Sequence, residues 1–114
     1  MDVYQNKMFV EEGSSYIVPK PSEQLTRINY LVLGLVGETG EFAEKLKKIL
    51  RDKGSIITPE DESLLRKELG DIYWYWSAIN FELGFSGEET VKQNLDKLMD
   101  RIKRSKIQGS GDER

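Results

Sequence analysis

The chain has 114 residues, 38% apolar and 32% charged, with 17 basic against 20 acidic side chains and a formal charge of −3. That size suits one domain, and the charge supplies no positive field for a phosphate backbone, which argues against nucleic acid as the main partner. Cysteine and histidine are both absent, which removes disulfides, thiolate and imidazole metal sites and histidine-based triads, so any metal must be a hard cation held by oxygen, Mg²⁺ first and Mn²⁺ second.

No run of eighteen apolar residues occurs, and the start MDVYQNKMFVEE has neither the basic region nor the apolar stretch of a signal peptide. No membrane partner and a cytoplasmic location are therefore expected.

Residues from about 2 to 12 can form a short helix with Val3, Met8 and Phe9 on its inner side, ended by Gly13, Ser14 and Ser15. Tyr16 to Pro21, with two prolines and no period, reads as an extended connector. Ser22 then offers an N-cap to a long helix running to about Lys53, where Gly54 can end it. This helix carries Gly34, Gly37 and Gly40, each costing roughly 1 kcal/mol relative to alanine in a helix interior. Either close helix packing or room for a ligand beside the backbone would compensate.

Thr58, with Pro59 at the first helical position and Glu60 and Asp61 behind it, marks a third helix start. Leu64, Leu65, Leu69, Ile72, Trp76, Ile79 and Leu83 continue it at helical spacing to Gly84. A fourth helix begins with Ser86 as cap and is expected to turn Val91, Leu95, Leu98 and Ile102 inward. The pattern predicts an all-α fold, an antiparallel four-helix bundle with a short N-terminal helix, as one domain over residues 1–104, with 105–114 as a flexible tail.

The carboxylates carry the chemistry. With Phe42 as reference on the second helix, Leu31, Leu35, Leu46 and Ile49 fall within about 40°, Glu38 lies about 40° to one side and Glu41 about 100° to that side. On the third helix, with Ile72 as reference, Glu68 and Asp71 lie at about the same two offsets, to the same side. Antiparallel packing would bring the two i, i+3 pairs together. Four converging carboxylates repel and must be desolvated, so a compensating cation is expected, with Glu38, Glu41, Glu68 and Asp71 as both metal ligands and catalytic residues. Against this stands the solvated helix face on which such pairs often arise. Glu44 projects away from the stripe and reads as surface, paired with Lys47 or Lys48.

The segments GLVGETGEFAEKLKK at 34–48 and KELGDIYWYW at 67–76 resemble the MazG-like nucleotide pyrophosphohydrolases, whose signature is Glu-x-x-Glu, a spacer, then Glu-x-x-Asp. Tyr4 and Gln5, and NLDKLMDR at 94–101, extend the similarity to most of the chain. Two departures are Gly37, where many members carry a further glutamate, and Ile102, Lys103 and Arg104, which replace the usual tyrosine-proline.

The resemblance implies Mg²⁺-dependent hydrolysis of a nucleoside triphosphate between its α- and β-phosphorus atoms, to the monophosphate and pyrophosphate. Metal-activated water and neutralised phosphate oxygens suit that reaction, with Glu41 as the candidate base. Lys97 and Arg101, four apart, can share a face toward the triphosphate. Asn94 lies one turn earlier, within reach of sugar or phosphate, and Tyr75 one turn beyond Asp71. A solvated basic face, an exposed amide and ordinary core packing are the plain alternatives for these residues.

Trp74, Ala78 and Phe81 form a second apolar stripe on the third helix, which suggests a partner subunit over one face, with base stacking by Trp74 as an alternative. A homodimer or homotetramer agrees with the family's habit. The competing functional readings are a non-catalytic helical protein whose acidic patch binds a basic partner, and a metal-dependent hydrolase of another nucleotide.

Overall fold

The computed structural model describes residues 1–12, 23–52 and 54–104. The expected helix end at 13–15, the connector at 16–21, Ser22 as a cap, Lys53 as a helix end and the tail at 105–114 lie outside them. Among the described residues the chain is all-helical: α1 (Val3–Gln5) runs into a π-helical segment (Asn6–Glu11), followed by α2 (Gln24–Asp52), α3 (Pro59–Glu82) and α4 (Gly87–Lys103). No helix among them is long and apolar enough to cross a membrane.

The N-terminal segment starts with a reciprocal cap, in which Asp2 Oδ1 accepts from the Gln5 N–H at 2.8 Å and Gln5 Oε1 accepts from the Asp2 N–H at 3.0 Å. Its inner face differs from the expected one. Phe9 is buried and Met8 half-buried, but Val3 is 81% exposed and Gln5 is fully buried. A buried carboxamide is tolerable because every group finds a partner. Gln5 Nε2 donates to the carbonyls of Ser77 (3.2 Å) and Phe85 (3.0 Å), and Oε1 also accepts from the Gly87 N–H at 3.1 Å. One side chain thus joins the N-terminus to the end of α3 and the start of α4.

Residue pairs along α2 and α3 fix their direction. Arg27 is ion-paired with Glu82, Gly34 meets Tyr75, and Lys45 is ion-paired with Glu68, so numbers rise on one helix as they fall on the other. The helices are antiparallel. A Cβ at Gly34 would run into the Tyr75 ring, whereas Gly37 and Gly40 have nothing within 4 Å. Close packing therefore accounts for Gly34 and leaves the other two unexplained by any neighbour among the described residues.

Local signals set the ends of α3. Thr58 Oγ1 accepts from the Asp61 N–H at 3.2 Å while Asp61 Oδ2 accepts from the Thr58 N–H at 3.1 Å, with Pro59 in the first turn. Gly84 takes φ +77°, and the Gly84 and Phe85 N–H groups return to the carbonyls of Phe81 and Asn80 at 3.0 and 2.8 Å. That is the double hydrogen bond by which a left-handed glycine closes a helix. Asn80 then ties α3 to α4, its Nδ2 donating to the Trp76 carbonyl (2.9 Å) and its Oδ1 accepting from Thr90 Oγ1 (2.6 Å).

The core centres on Phe9, Leu31 and Ala78, with Met8, Trp74, Tyr75, Ile79 and Phe81 packed around them. Phe9 lies 5.1 Å from the Phe81 ring and 5.6 Å from Trp74. The stripe Trp74, Ala78 and Phe81 is thus covered from within the chain, and the face left open is that of Leu69, Tyr73 and Leu83. On α4, Ser86 sits at the cap position without a side-chain bond. Only Leu98 of its four expected inward residues is partly covered: Val91, Leu95 and Ile102 are each more than half exposed. Their spacing is that of a buried face, but no described element covers it. Glu44 pairs with Lys47 at 3.3 Å on the surface, as its phase predicts.

Candidate metal centre

Glu38 and Glu41 stand one turn apart on α2, and Glu68 and Asp71 one turn apart on the antiparallel α3. Oxygens of Glu38, Glu41 and Glu68 all lie within 4.8 Å of one another. Asp71 is exposed and stands outside that set, yet it is close enough for its charge to raise the Glu38 carboxyl and the phenols of Tyr4 and Tyr75. Matching helix phase has therefore brought three of the four carboxylates together, with the fourth on the rim.

The electrostatics are those of crowded negative charge. Burial, and then the charges of Glu41, Asp71 and Glu68, push the Glu38 carboxyl up to about 7. Glu68 goes the other way: the Lys45 ammonium, 3.1 Å from its Oε1, holds it below the usual carboxylate range against the effect of burial. Glu68 is only 8% exposed, and Glu68 Oε2 and Glu38 Oε2 are both buried without a hydrogen-bond partner among the described residues. Unsatisfied buried carboxylate oxygens cost free energy unless something electropositive meets them. An all-oxygen donor set of this kind suits Mg²⁺ or Mn²⁺, and exposed Glu41 and Asp71 leave a solvent-facing side where a substrate can join.

The remaining candidates are distributed around this centre. Tyr75 is half-buried against Gly34, and its phenol is raised by burial, then by Tyr30, Glu38 and Asp71, which places it beside the carboxylates. Trp74 packs edge-on against Phe9 and Tyr75 in the core. On α4, Asn94 is exposed and Lys97 half-buried, and both line a groove of about 500 Å³ with Trp76, Thr90, Val91 and Gln93; Arg101 is buried. Aromatic rings lead from the carboxylates toward that groove: Tyr4, which feels Asp71, is 4.9 Å from Tyr73, and Tyr73 stacks on Trp76 at 5.6 Å.

Lys45 is the residue that the sequence reading did not single out. It stands four residues after Glu41 and seven after Glu38, so helical spacing alone puts it on the carboxylate face. A lysine in a charged helix is read by default as solvated, and that default hid it.

The MazG nucleotide pyrophosphohydrolase domain family model matches residues 27–105, which include both carboxylate pairs, Lys45 and the α4 candidates. The "Gene 37 protein" of Mycobacterium phage L5 is 40% identical over 114 residues, the whole of this chain and 98% of that protein. No solved structure matches. On the extent of the family match the chain belongs to the MazG nucleotide pyrophosphohydrolases.

Proposed function

We propose that the protein hydrolyses a nucleoside triphosphate between its α- and β-phosphorus atoms, releasing the monophosphate and pyrophosphate, with Mg²⁺ held by Glu38, Glu41, Glu68 and Asp71 and Mn²⁺ as a substitute. The observation that carries this reading is the convergence of three carboxylates within 4.8 Å, two of them with a buried oxygen that has no hydrogen-bond partner among the described residues. Bound there, the cation would supply charge neutralisation for phosphate oxygens and a water of lowered pKa.

The chain's own residues divide the remaining work. Glu38 and Glu68, the more buried pair, hold the cation; Asp71 completes the set from the rim. Exposed Glu41 accepts the proton of the attacking water. Lys97, in the α4 groove, meets the triphosphate, Asn94 bonds sugar or phosphate, and Tyr75 contacts the nucleoside; Arg101, expected beside Lys97, is only 3% exposed and is assigned no contact with substrate. Each water consumed opens one phosphoanhydride bond, and its oxygen ends on one of the two products.

A second copy of the chain, as homodimer or homotetramer, belongs to this reading. Val91, Leu95, Met99 and Ile102 leave an apolar stripe of α4 exposed, and Leu69, Ile72, Tyr73, Trp76 and Val91 line an apolar groove of about 360 Å³. A stripe of that kind is more often an interface than a free surface. The cytoplasm, where nucleoside triphosphates are found, is the compartment this function requires.

The test is a panel of ribo- and deoxyribonucleoside triphosphates with Mg²⁺, products resolved by phosphorus NMR, with EDTA as control. Pyrophosphate and monophosphate in equal amounts, abolished by EDTA, are expected. Orthophosphate alone would point to a different hydrolase, and no turnover of any triphosphate would favour a binding role for the acidic patch.

A further inference from the structure

The Lys45–Glu68 pair is oddly placed for a structural ion pair. Its ammonium is 3.1 Å from an oxygen of the most buried carboxylate of the cluster, with the two side chains 35% and 11% exposed. Glu38, Glu41 and Lys45 follow one another along one face of α2 at spacings of three and four, so Lys45 borders the carboxylates instead of standing apart from them. On its other side, one to two turns further along α2 and back along α3, lies a cavity of about 260 Å³ that Lys45 also lines, with Lys48, Ile49, Asp52, Asp61 and Leu65. An ammonium leaving Glu68 would thus find space, with negative charge on the walls from Asp52, held by Arg51 at 2.7 and 2.8 Å, and from Asp61, the cap of α3.

We propose that Lys45 is a built-in counter-cation: its ammonium neutralises Glu68 while no divalent ion is bound, and gives way toward the neighbouring cavity when one arrives. This rests on the reading that the carboxylates hold a divalent cation. The physical basis is competition. A divalent ion and an ammonium cannot both sit against Glu68 without repelling each other, so each equivalent of metal bound must break the pair. The pair lowers the repulsion of the metal-free cluster and, for the same reason, weakens metal affinity.

Calorimetric titration of Mg²⁺, repeated with Mn²⁺, into the metal-free full chain tests this with no substrate present. Lys45→Gln removes the competitor: about fivefold tighter metal binding is expected, with a lower Tm for the metal-free protein and a larger rise on saturation. Lys45→Arg keeps the charge and adds a forked donor suited to a carboxylate, so metal binding weaker than in the unaltered chain is expected. The two variants move affinity in opposite directions, so either one alone suffices should the other fail to fold. Unchanged or weaker binding in Lys45→Gln, or unchanged or tighter binding in Lys45→Arg, would overturn the proposal and leave the metal centre standing. If the unaltered chain binds neither ion, the metal centre itself falls, and the role of Lys45 with it.

Discussion

Helix α3 is gripped by α2 from Arg27 and Glu82 at one end to Lys45 and Glu68 toward the other, whereas α4 is joined at its first turns, through Gln5 to Gly87 and Asn80 to Thr90, and then presents an apolar stripe to solvent. The α2–α3 pair buries charge, and α4 exposes hydrocarbon. Both invert the ordinary preference, and the inversions have different physical meanings. Buried carboxylates whose oxygens find no donor call for a cation, and an exposed apolar face at helical spacing calls for another surface. The carboxylate cluster is therefore assembled by one chain, while the geometry of the α4 residues depends on what covers that helix.

The sharpest way to break this comparison is at the carboxylates. Glu68→Gln or Asp71→Asn is expected to lower hydrolysis on the order of a hundredfold or more, while circular dichroism shows the helices intact. Activity near that of the unaltered chain would move the chemistry elsewhere.

A smaller effect, on stability, probes the α2–α3 grip. Gly34→Ala forces a methyl into the Tyr75 ring and is expected to cost about 1–3 kcal/mol. Gly37→Ala meets nothing within 4 Å and should gain up to about 1 kcal/mol from helix propensity. Chemical denaturation measures both, and equal effects at the two sites would remove the distinction between a packed and an open glycine.

On α4, Leu95→Glu places a charge in the exposed stripe. Sedimentation equilibrium should show a shift to smaller species with helicity unchanged, and an unaltered mass would mean that this face is not an interface.

A further effect is that of pH on the metal-free protein. Glu38 titrates at about 7 in the fold but near 4.5 when unfolded. Between those values the unfolded chain has released a proton that the folded chain still holds, so Glu38 makes stability fall as pH rises from 4.5 to 7 and is level above. Glu68, held low by Lys45, contributes in the opposite sense: its stabilisation is present above the unfolded value and is lost as pH falls through the folded one. Tm measured across this range, with and without Mg²⁺, should show the Glu38 slope in the metal-free samples and a flatter profile once the cation favours the ionised form.

What could be read in the sequence followed from how local each signal is. Thr58 with Pro59 and Asp61, and the stop at Gly84, depend on a few neighbouring residues and are legible directly. The meeting of Glu38, Glu41 and Glu68 was legible because helix phase relative to the apolar stripe survives packing. Gln5 was not, since its burial depends on carbonyls of Ser77 and Phe85 and an N–H of Gly87 far along the chain. Val91, Leu95 and Ile102 have the period of a buried face, but periodicity says that a face wants cover and not which molecule supplies it. Likewise the two α3 stripes were both visible, yet which one Phe9 and Leu31 would cover was a matter of tertiary contact.

The central claim is that α2 and α3 turn their carboxylates onto a common divalent-cation site. A crystal grown with Mn²⁺ and measured at the manganese absorption edge addresses it directly. A single anomalous peak or a close pair, in contact with Glu38, Glu41, Glu68 and Asp71, is the predicted result; a peak elsewhere on the molecule, with Lys45 still against Glu68, would contradict it.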